Sequence, residues 1–179
     1  MTKFSPQKYI MQNGRRLPID RCLIADGNER KLHTICLIVR KQPSGYFTLA
    51  SFIVDRHCLG VKDAFANCNL QAIEIDDYIK RTSNHIGLVE MVTPEYLHNM
   101  VYGALDYAES LGFSPHKDFK LAEYVLDPDL VDDGIDEFEF GLDGKPFYIA
   151  GPYDNVHKIL ATLNRTVGEG NYEYIHPMG

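Results

Sequence analysis

The sequence has no long apolar run. A membrane-spanning helix needs about 20 consecutive apolar residues, and none of the 179 residues belongs to such a run. The first sixteen residues include basic side chains but no apolar core of a secretory signal. We therefore expect a cytoplasmic protein with no membrane partner.

The sequence also contains few cysteines, and they are scattered. Cys22, Cys36, Cys58 and Cys68 form no C-x-x-C pair and no zinc-finger spacing. In a cytosolic chain, such cysteines are usually small buried hydrophobic residues. The spacing predicts four free thiols, with a disulfide or a structural zinc as the alternative.

Common catalytic and nucleotide-binding motifs are missing as well. The chain has no G-x-x-x-x-G-K-[ST] loop, no G-x-G-x-x-G turn after a strand, no H-E-x-x-H and no G-x-S-x-G. This absence argues against a common nucleotide-dependent enzyme. We therefore expect no bound cofactor, with Mg²⁺ as the alternative.

The composition is that of a globular protein, but its charge is uneven. The net charge is −7, yet residues 1–62 carry eleven Lys and Arg against four acids. Residues 63–179 carry seven against twenty-one. The basic third could meet nucleic acid through Arg15, Arg16, Arg40 and Lys41, and the acidic remainder could meet a basic protein surface or metal ions. The alternative is a solvated surface of uneven charge.

Three stretches in the first third predict β-strands. They are "PIDRCLIA" (18–25), "HTICLIVRK" (33–41) and "YFTLASFIVD" (46–55), and the "QPSG" between the last two indicates a hairpin connection. Their apolar runs are nearly continuous, which is typical of a sheet covered on both faces.

Helical patterns follow after residue 93. Thr93 and Pro94 predict the start of a helix that ends near Gly112. A second helix is predicted from Ser114 to the break at Asp127. A third is predicted after Asp154 as its cap, ending at Gly168.

The segment "EFEFGLDGKPFYIA" (137–150) predicts a β-hairpin. Asp143–Gly144 is a strong signal for a type I′ turn, and it places Leu142 opposite Lys145 and Phe140 opposite Phe147. The expected fold class is α+β: an N-terminal antiparallel or mixed sheet, two central helices, then the hairpin and a C-terminal helix. We expect an N-terminal arm (1–16) and one domain (17–179). The acidic segment 123–143 is predicted to be partly mobile, because few apolar residues interrupt its charges.

The stretch "ASFIVDRHCLGVKDAF" (50–65) is a candidate site. A strand that delivers Asp55 into a turn can present a carboxylate, and Asp55 and Asp63 could share Mg²⁺ while Lys62 neutralises a phosphate. Cys58 beside His57 suggests a thiolate–imidazole pair, but adjacent residues of an extended chain point in opposite directions. The alternative is a buried core segment whose aspartates cap a turn.

A histidine on the first predicted helix is the other candidate. His98 could complete a catalytic set with Asp55, Lys62 and Asp63. It could also join Asp106 or Glu109 and His116 in a metal site. The alternative is a half-buried polar group whose hydrogen bonds are satisfied.

Three blocks resemble an uncharacterised prokaryotic protein family. They are "LASFIVDRHCLGVKDAF" (49–65), "LHNMVYGALDYAESLGFSPHKDFKLAEYVL" (97–126) and "EFEFGLDGKPFYIAGPYDN" (137–155), and the closing "GEGNY" segment of the family also occurs here (168–172). The family pattern is "YLVD-x-x-CLGVKD-x-F", then "H-N-x-x-YGA-x-x-YAE-x-LGF-x-P". The resemblance implies a domain that occurs as a unit. Because the family has no established activity, it implies no catalytic residue.

Two classes of function follow from these patterns. The first is a non-enzymatic interaction or regulatory protein, a small subunit of a larger assembly with a protein partner. The alternative is a metal-dependent hydrolase acting on nucleic acid, or a nucleic-acid-binding module that uses the basic N-terminal third.

Overall fold

The computed structural model describes residues 3–27, 33–134 and 138–176 and shows a mixed α+β protein. Within these residues the helices are α1 (Pro6–Asn13), α2 (Ala72–Ile86), α3 (Pro94–Ser110), α4 (Phe119–Ala122) and α5 (Val156–Thr166). The strands are β1 (Ile19–Asp26), β2 (Thr34–Lys41), β3 (Phe47–Asp55), β4 (Gly60–Leu70), β5 (Val89–Val92), β6 (Phe147–Ile149) and β7 (Glu173–Ile175). The α+β class predicted from the sequence is confirmed.

Five strands form one antiparallel sheet in the order β4-β3-β2-β1-β5. The three strands predicted from Ile, Val and Phe content are β1, β2 and β3. The short connection between β2 and β3 is closed by the Gln42 N–H, which donates to the Tyr46 carbonyl at 2.8 Å. β2 and β3 are buried on both sides, as their continuous apolar runs predicted.

Helices cover the two faces of this sheet unequally. One face packs against α1, α3 and α4 around Phe52, and its core includes Ile10, Leu97 and Phe119. The opposite face packs against α2, whose Ile75 is fully buried. The larger core therefore lies under α3, and β4 forms one edge of the sheet beside it.

β4 and α2 are absent from the sequence prediction. Polar residues interrupt β4, so its apolar pattern is weak compared with β2 and β3. Gly60 begins the strand with φ +68°, and a Cβ there would lie 2.7 Å from Cβ of Ala108. Only glycine allows β4 to start this close to α3. α2 begins with a capping box in which Glu74 accepts from the Gln71 N–H at 2.7 Å.

A third apolar cluster joins the end of the chain to the turn after β3. Its buried members are Cys58, Leu111, Tyr148, Ala150 and Leu163. α5 supplies Leu163, and its N-cap is Asn155, whose side chain accepts from the Lys158 N–H. The prediction of Asp154 as the cap is therefore off by one residue, which leaves the Asp154 carboxylate available elsewhere.

The predicted hairpin at 137–150 forms only its turn; residue 137 lies outside the described residues. Leu142 and Lys145 exchange two backbone hydrogen bonds, and both Asp143 and Gly144 have positive φ, as a type I′ turn requires. Beyond the turn the two arms separate. Phe140 lies on α3 beside Gly103, while Phe147 pairs in parallel with Glu173 of β7. The predicted pairing of Phe140 with Phe147 is wrong because Phe140 packs against Tyr107 of α3, whereas the Phe147 N–H donates to the His57 carbonyl and its strand pairs with β7.

The second predicted helix is reduced to α4 and a 3₁₀ turn at 123–125. Phe119, Ala122 and Val125 are buried, and their spacing of three residues suits a 3₁₀ turn better than a long α-helix. Loop 111–118 before α4 is tied to β4, where the His116 N–H donates to the Val61 carbonyl at 3.0 Å. A hydrogen bond to the sheet therefore anchors this segment, where a regular helix would have its own hydrogen bonds.

The segment predicted as an N-terminal arm contains α1, which packs on β4 with Ile10 fully buried. In the acidic segment 123–143, Asp127 caps the 3₁₀ turn at 128–130, and residues 135–137 lie outside the described residues. No helix among the described residues is long and apolar enough to cross a bilayer.

Candidate functional site

Asp55 serves the turn that follows β3. It is 6% exposed, and its carboxylate accepts hydrogen bonds from the backbone N–H groups of His57, Cys58 and Leu59 at 2.8, 3.2 and 3.2 Å. The one gap beside it that is described, shared with His33 and His57, has a volume of about 10 Å³. That volume accommodates about one water molecule and is far below that of a typical small-molecule site.

His98 is fully buried in the first turns of α3. The Asp127 N–H donates to Nε2 at 3.0 Å, so Nε2 is unprotonated and Nδ1 carries the hydrogen that is donated to the Pro94 carbonyl at 2.6 Å. Burial lowers the pKa of His98, although the bond to the Pro94 carbonyl acts in the opposite direction. His98 is therefore a neutral link between α3 and residue 127.

None of the described clefts is lined by all four candidate catalytic residues. Asp55 and His98 are occupied in the interior, whereas Lys62 and Asp63 lie on β4 towards the surface. The alternative metal set is also divided. Asp106 and Glu109 line a cleft of about 260 Å³ whose lining includes neither His98 nor His116.

All four cysteines are free and buried. Burial raises the pKa of the Cys36 and Cys58 thiols strongly and that of Cys22 to about 12. A thiolate is the nucleophilic form of cysteine. The pairing of Cys58 with His57 as a nucleophile is therefore unfavourable.

We expect the native protein to be inert to the thiol reagent DTNB. Burial denies the reagent access to the four sulfur atoms and disfavours the thiolates. Rapid release of the chromophore should begin only when urea is added, and it should then reach four equivalents. A thiol that reacts within seconds in native buffer would contradict the buried positions.

The four basic candidates for nucleic-acid contact differ in how exposed their side chains are. Arg40 is 3% exposed and donates to the backbone carbonyls of Val125 and Leu17. Its guanidinium group therefore holds two segments together and does not face a phosphate backbone. Arg15, Arg16 and Lys41 are exposed, and Arg15 also donates to the Leu126 carbonyl at 2.8 Å.

A cleft lies between the start of β4, loop 111–118 and α5. Its volume is about 400 Å³, within the range of small-molecule sites. Apolar side chains and basic or hydroxyl side chains both line it: Leu59, Val61, Phe113 and Ile159, together with Lys62, Lys158, His116, Ser114 and Thr162. An apolar surface with cationic and hydroxyl groups suits an anionic molecule that has an apolar part. We call this cavity the β4–α5 cleft.

Lys62 is fixed within the β4–α5 cleft by Asp154. Its Nζ lies 3.3 Å from Oδ2 of Asp154, and the same oxygen accepts from the Gly151 N–H at 2.8 Å and the Tyr148 hydroxyl at 3.1 Å. Burial alone would raise the pKa of Asp154, but these donors hold that pKa below its ordinary value. The carboxylate is thus ionised and orients the ammonium group.

Close backbone packing forms the wall opposite β4. Gly112 has φ +88°, and a Cβ there would lie 3.0 Å from Cγ2 of Thr166 and 3.1 Å from Cγ2 of Thr162. Glycine therefore allows loop 111–118 to lie directly on α5. The hydroxyl of Thr166 adds a hydrogen bond to the Leu111 carbonyl at 2.9 Å.

The sequence identified only part of this cleft. Lys62 was proposed as a phosphate ligand, and His116 was proposed for a different metal set. Lys158, Thr162 and Asp154 were missed, because they lie about ninety or more positions from Lys62 in the chain. The only local signal was the position of Lys158 and Thr162 one turn apart on α5.

Comparison with protein-family models, curated proteins and solved structures finds no match for this chain. The resemblance of the three sequence blocks to a prokaryotic family therefore stays a prediction.

Proposed function

We propose that the protein is a non-enzymatic binding protein that recognises a small phosphorylated molecule and regulates a larger assembly. The observation that carries this proposal is the β4–α5 cleft, in which Lys62 and Lys158 border an apolar floor. The ammonium groups bind the phosphate, and Phe113 and Ile159 contact the apolar part of the ligand. Because Lys62 makes one long bond to Asp154, its remaining hydrogens can serve an anion.

The state of the reactive side chains supports binding over catalysis. The Asp55 carboxylate is occupied by three backbone donors, and both ring nitrogens of His98 have partners. Burial raises the pKa of the Cys58 thiol, which weakens it as a nucleophile.

An exposed apolar edge supports a protein partner. β5 is an edge strand of the sheet, and Leu88 and Met91 are 74% and 72% exposed there. Large exposed apolar side chains at a sheet edge are typical of contact surfaces. We propose that the assembly contacts this edge, away from the β4–α5 cleft.

Titration with phenyl phosphate tests the ligand-binding proposal. Calorimetry should show saturable binding to the wild type, and Lys158→Glu should weaken it about tenfold or more, because a charged hydrogen bond contributes about 1.5–3 kcal/mol. Lys80→Glu makes the same charge change on α2, at the opposite face of the sheet, and serves as the control. Equal affinity in the two variants would overturn the assignment of the cleft.

A hydrolase remains the second candidate, favoured by the location of Lys62 in the cleft and Asp63 beside it on β4. Incubation of labelled single- and double-stranded nucleic acid with Mg²⁺ or Mn²⁺ distinguishes it from a binding protein. Turnover that is lost in Asp63→Asn would favour the hydrolase. Binding of nucleic acid without turnover, falling steeply with salt, would favour the basic N-terminal third as its contact.

A further inference from the structure

We propose that Asp63, His116 and Asp118 bind a divalent transition-metal cation at the edge of the β4–α5 cleft. One ligand atom from each residue lies within 4.8 Å of the other two. His116 also lines the cleft, so the two sites share a side chain. The three residues come from β4 and from loop 111–118.

The spacing of the donors suits a metal better than it suits direct ion pairs. Nδ1 of His116 is 3.5 Å from Oδ1 of Asp63 and 3.7 Å from Oδ2 of Asp118, which is too long for good hydrogen bonds. Ligand bonds of about 2.0–2.2 Å place neighbouring donor atoms roughly 3 to 3.5 Å apart. A small approach of the two exposed carboxylates is therefore enough to enclose a cation.

Backbone hydrogen bonds position two of the ligand residues in the metal-free protein. The His116 N–H donates to the Val61 carbonyl at 3.0 Å, and Asp63 follows Val61 by two positions on β4. The Asp118 N–H donates to Nδ1 of His116 at 3.3 Å, so this nitrogen presents a lone pair. A bound cation takes the place of that long hydrogen bond.

The charges around the cleft relate the cation to the proposed ligand. Lys62 and Lys158 prepare the cleft for an anion, yet two carboxylates lie beside its His116 wall. Without a cation these carboxylates repel an anionic ligand, whereas a bound cation reverses the local sign and attracts it. This link between metal and ligand rests on the proposed function; the metal site itself does not.

The donor set selects the class of metal. One imidazole nitrogen with two carboxylate oxygens suits Mn²⁺, Fe²⁺ or Zn²⁺ and leaves coordination positions for water or a phosphate oxygen. Mg²⁺ and Ca²⁺ prefer oxygen ligands alone. We expect Zn²⁺ and Mn²⁺ to bind at least about tenfold more tightly than Mg²⁺.

The test uses Mn²⁺ alone as a paramagnetic probe. Substoichiometric Mn²⁺ should broaden the backbone amide signals of residues 61–64 and 115–119 before those of α2, and Zn²⁺ should displace it. Calorimetry should show that His116→Ala and Asp63→Asn each weaken Zn²⁺ binding by about tenfold or more, since even the outer partners of metal ligands matter by 10–100-fold. His85→Ala, an exposed histidine on α2, is the control and should bind as the wild type does.

The outcomes separate the metal site from the ligand site. Broadening centred elsewhere, or affinity unchanged in both His116→Ala and Asp63→Asn, overturns the metal proposal whatever the phosphate titration shows. Metal binding at these residues with no phenyl phosphate binding in the presence of Zn²⁺ supports the metal site and overturns the proposed function. Tighter phenyl phosphate binding with Zn²⁺, lost in His116→Ala, supports both.

Discussion

Replacing Asp55 with alanine is expected to lower the free energy of unfolding by about 3–5 kcal/mol. The carboxylate is almost fully buried and accepts from three consecutive backbone N–H groups, at His57, Cys58 and Leu59. Alanine leaves these donors without the partner that shapes the turn between β3 and β4. Urea unfolding followed by circular dichroism measures the loss.

Asparagine at position 55 is the matched control for this change. It keeps an oxygen that can take the place of Oδ1, which accepts from His57 and Cys58, and it loses the bond to Leu59. We expect Asp55→Asn to lose about half as much stability as Asp55→Ala, and to bind phenyl phosphate as the wild type does. A stable Asp55→Ala protein that has lost ligand binding would instead place the carboxylate in the site.

Replacing His98 with alanine is expected to cost about 2–4 kcal/mol. The buried ring links the Pro94 carbonyl to the Asp127 N–H, and its removal leaves a cavity and an Asp127 N–H without this partner. The exposed His85→Ala should change stability by no more than about 0.5 kcal/mol. If the two variants unfold at the same urea concentration, the structural role of His98 is wrong.

His98 also gives a pH dependence with a defined sign. Burial lowers its folded-state pKa, so the unfolded chain binds the proton more readily than the folded chain does. The stability contribution is complete above the unfolded pKa of about 6.5, and it is lost as the pH falls through the folded pKa. The slope of stability against pH below about 6.5 should therefore be smaller in His98→Ala than in the wild type.

The predictable parts of the fold are those in which local pattern and tertiary packing agree. β2 and β3 are buried on both faces, so their central positions form nearly continuous apolar runs, with the small Ser51 as the polar residue inside the run of β3. β4 lies at a sheet edge, where its buried residues are mostly small and its exposed residues include both polar side chains and Phe65, so the sequence shows no clear strand pattern. Its close approach to α3 through Gly60 depends on Ala104 and Ala108, which lie more than forty positions further along the chain.

In the segment 138–149 the local sequence predicts the turn but not the partners of its two arms. The type I′ turn at Asp143–Gly144 is determined by two residues and forms as predicted. The partners of its arms are determined by surfaces that the local sequence does not contain. Phe140 packs against α3 and Phe147 pairs with β7, and both contacts are non-local.

The candidate site was predictable only in its β4 half. Asp55 and His98 attracted attention as reactive residue types, but the protein uses both to satisfy buried backbone groups. The β4–α5 cleft combines side chains from β4, loop 111–118 and α5, which no sequence window spans. The neighbouring residues Lys62 and Asp63 are the part of the site that the sequence reveals.

The most direct test of the cleft assignment is amide chemical-shift mapping of phenyl phosphate on the isotope-labelled protein. We expect saturable shifts confined to residues near 59–62, 112–116 and 158–162, and their loss in Lys158→Glu. Shifts that centre on Arg15, Arg16 and Lys41, or a spectrum that does not change at saturating ligand, would contradict it.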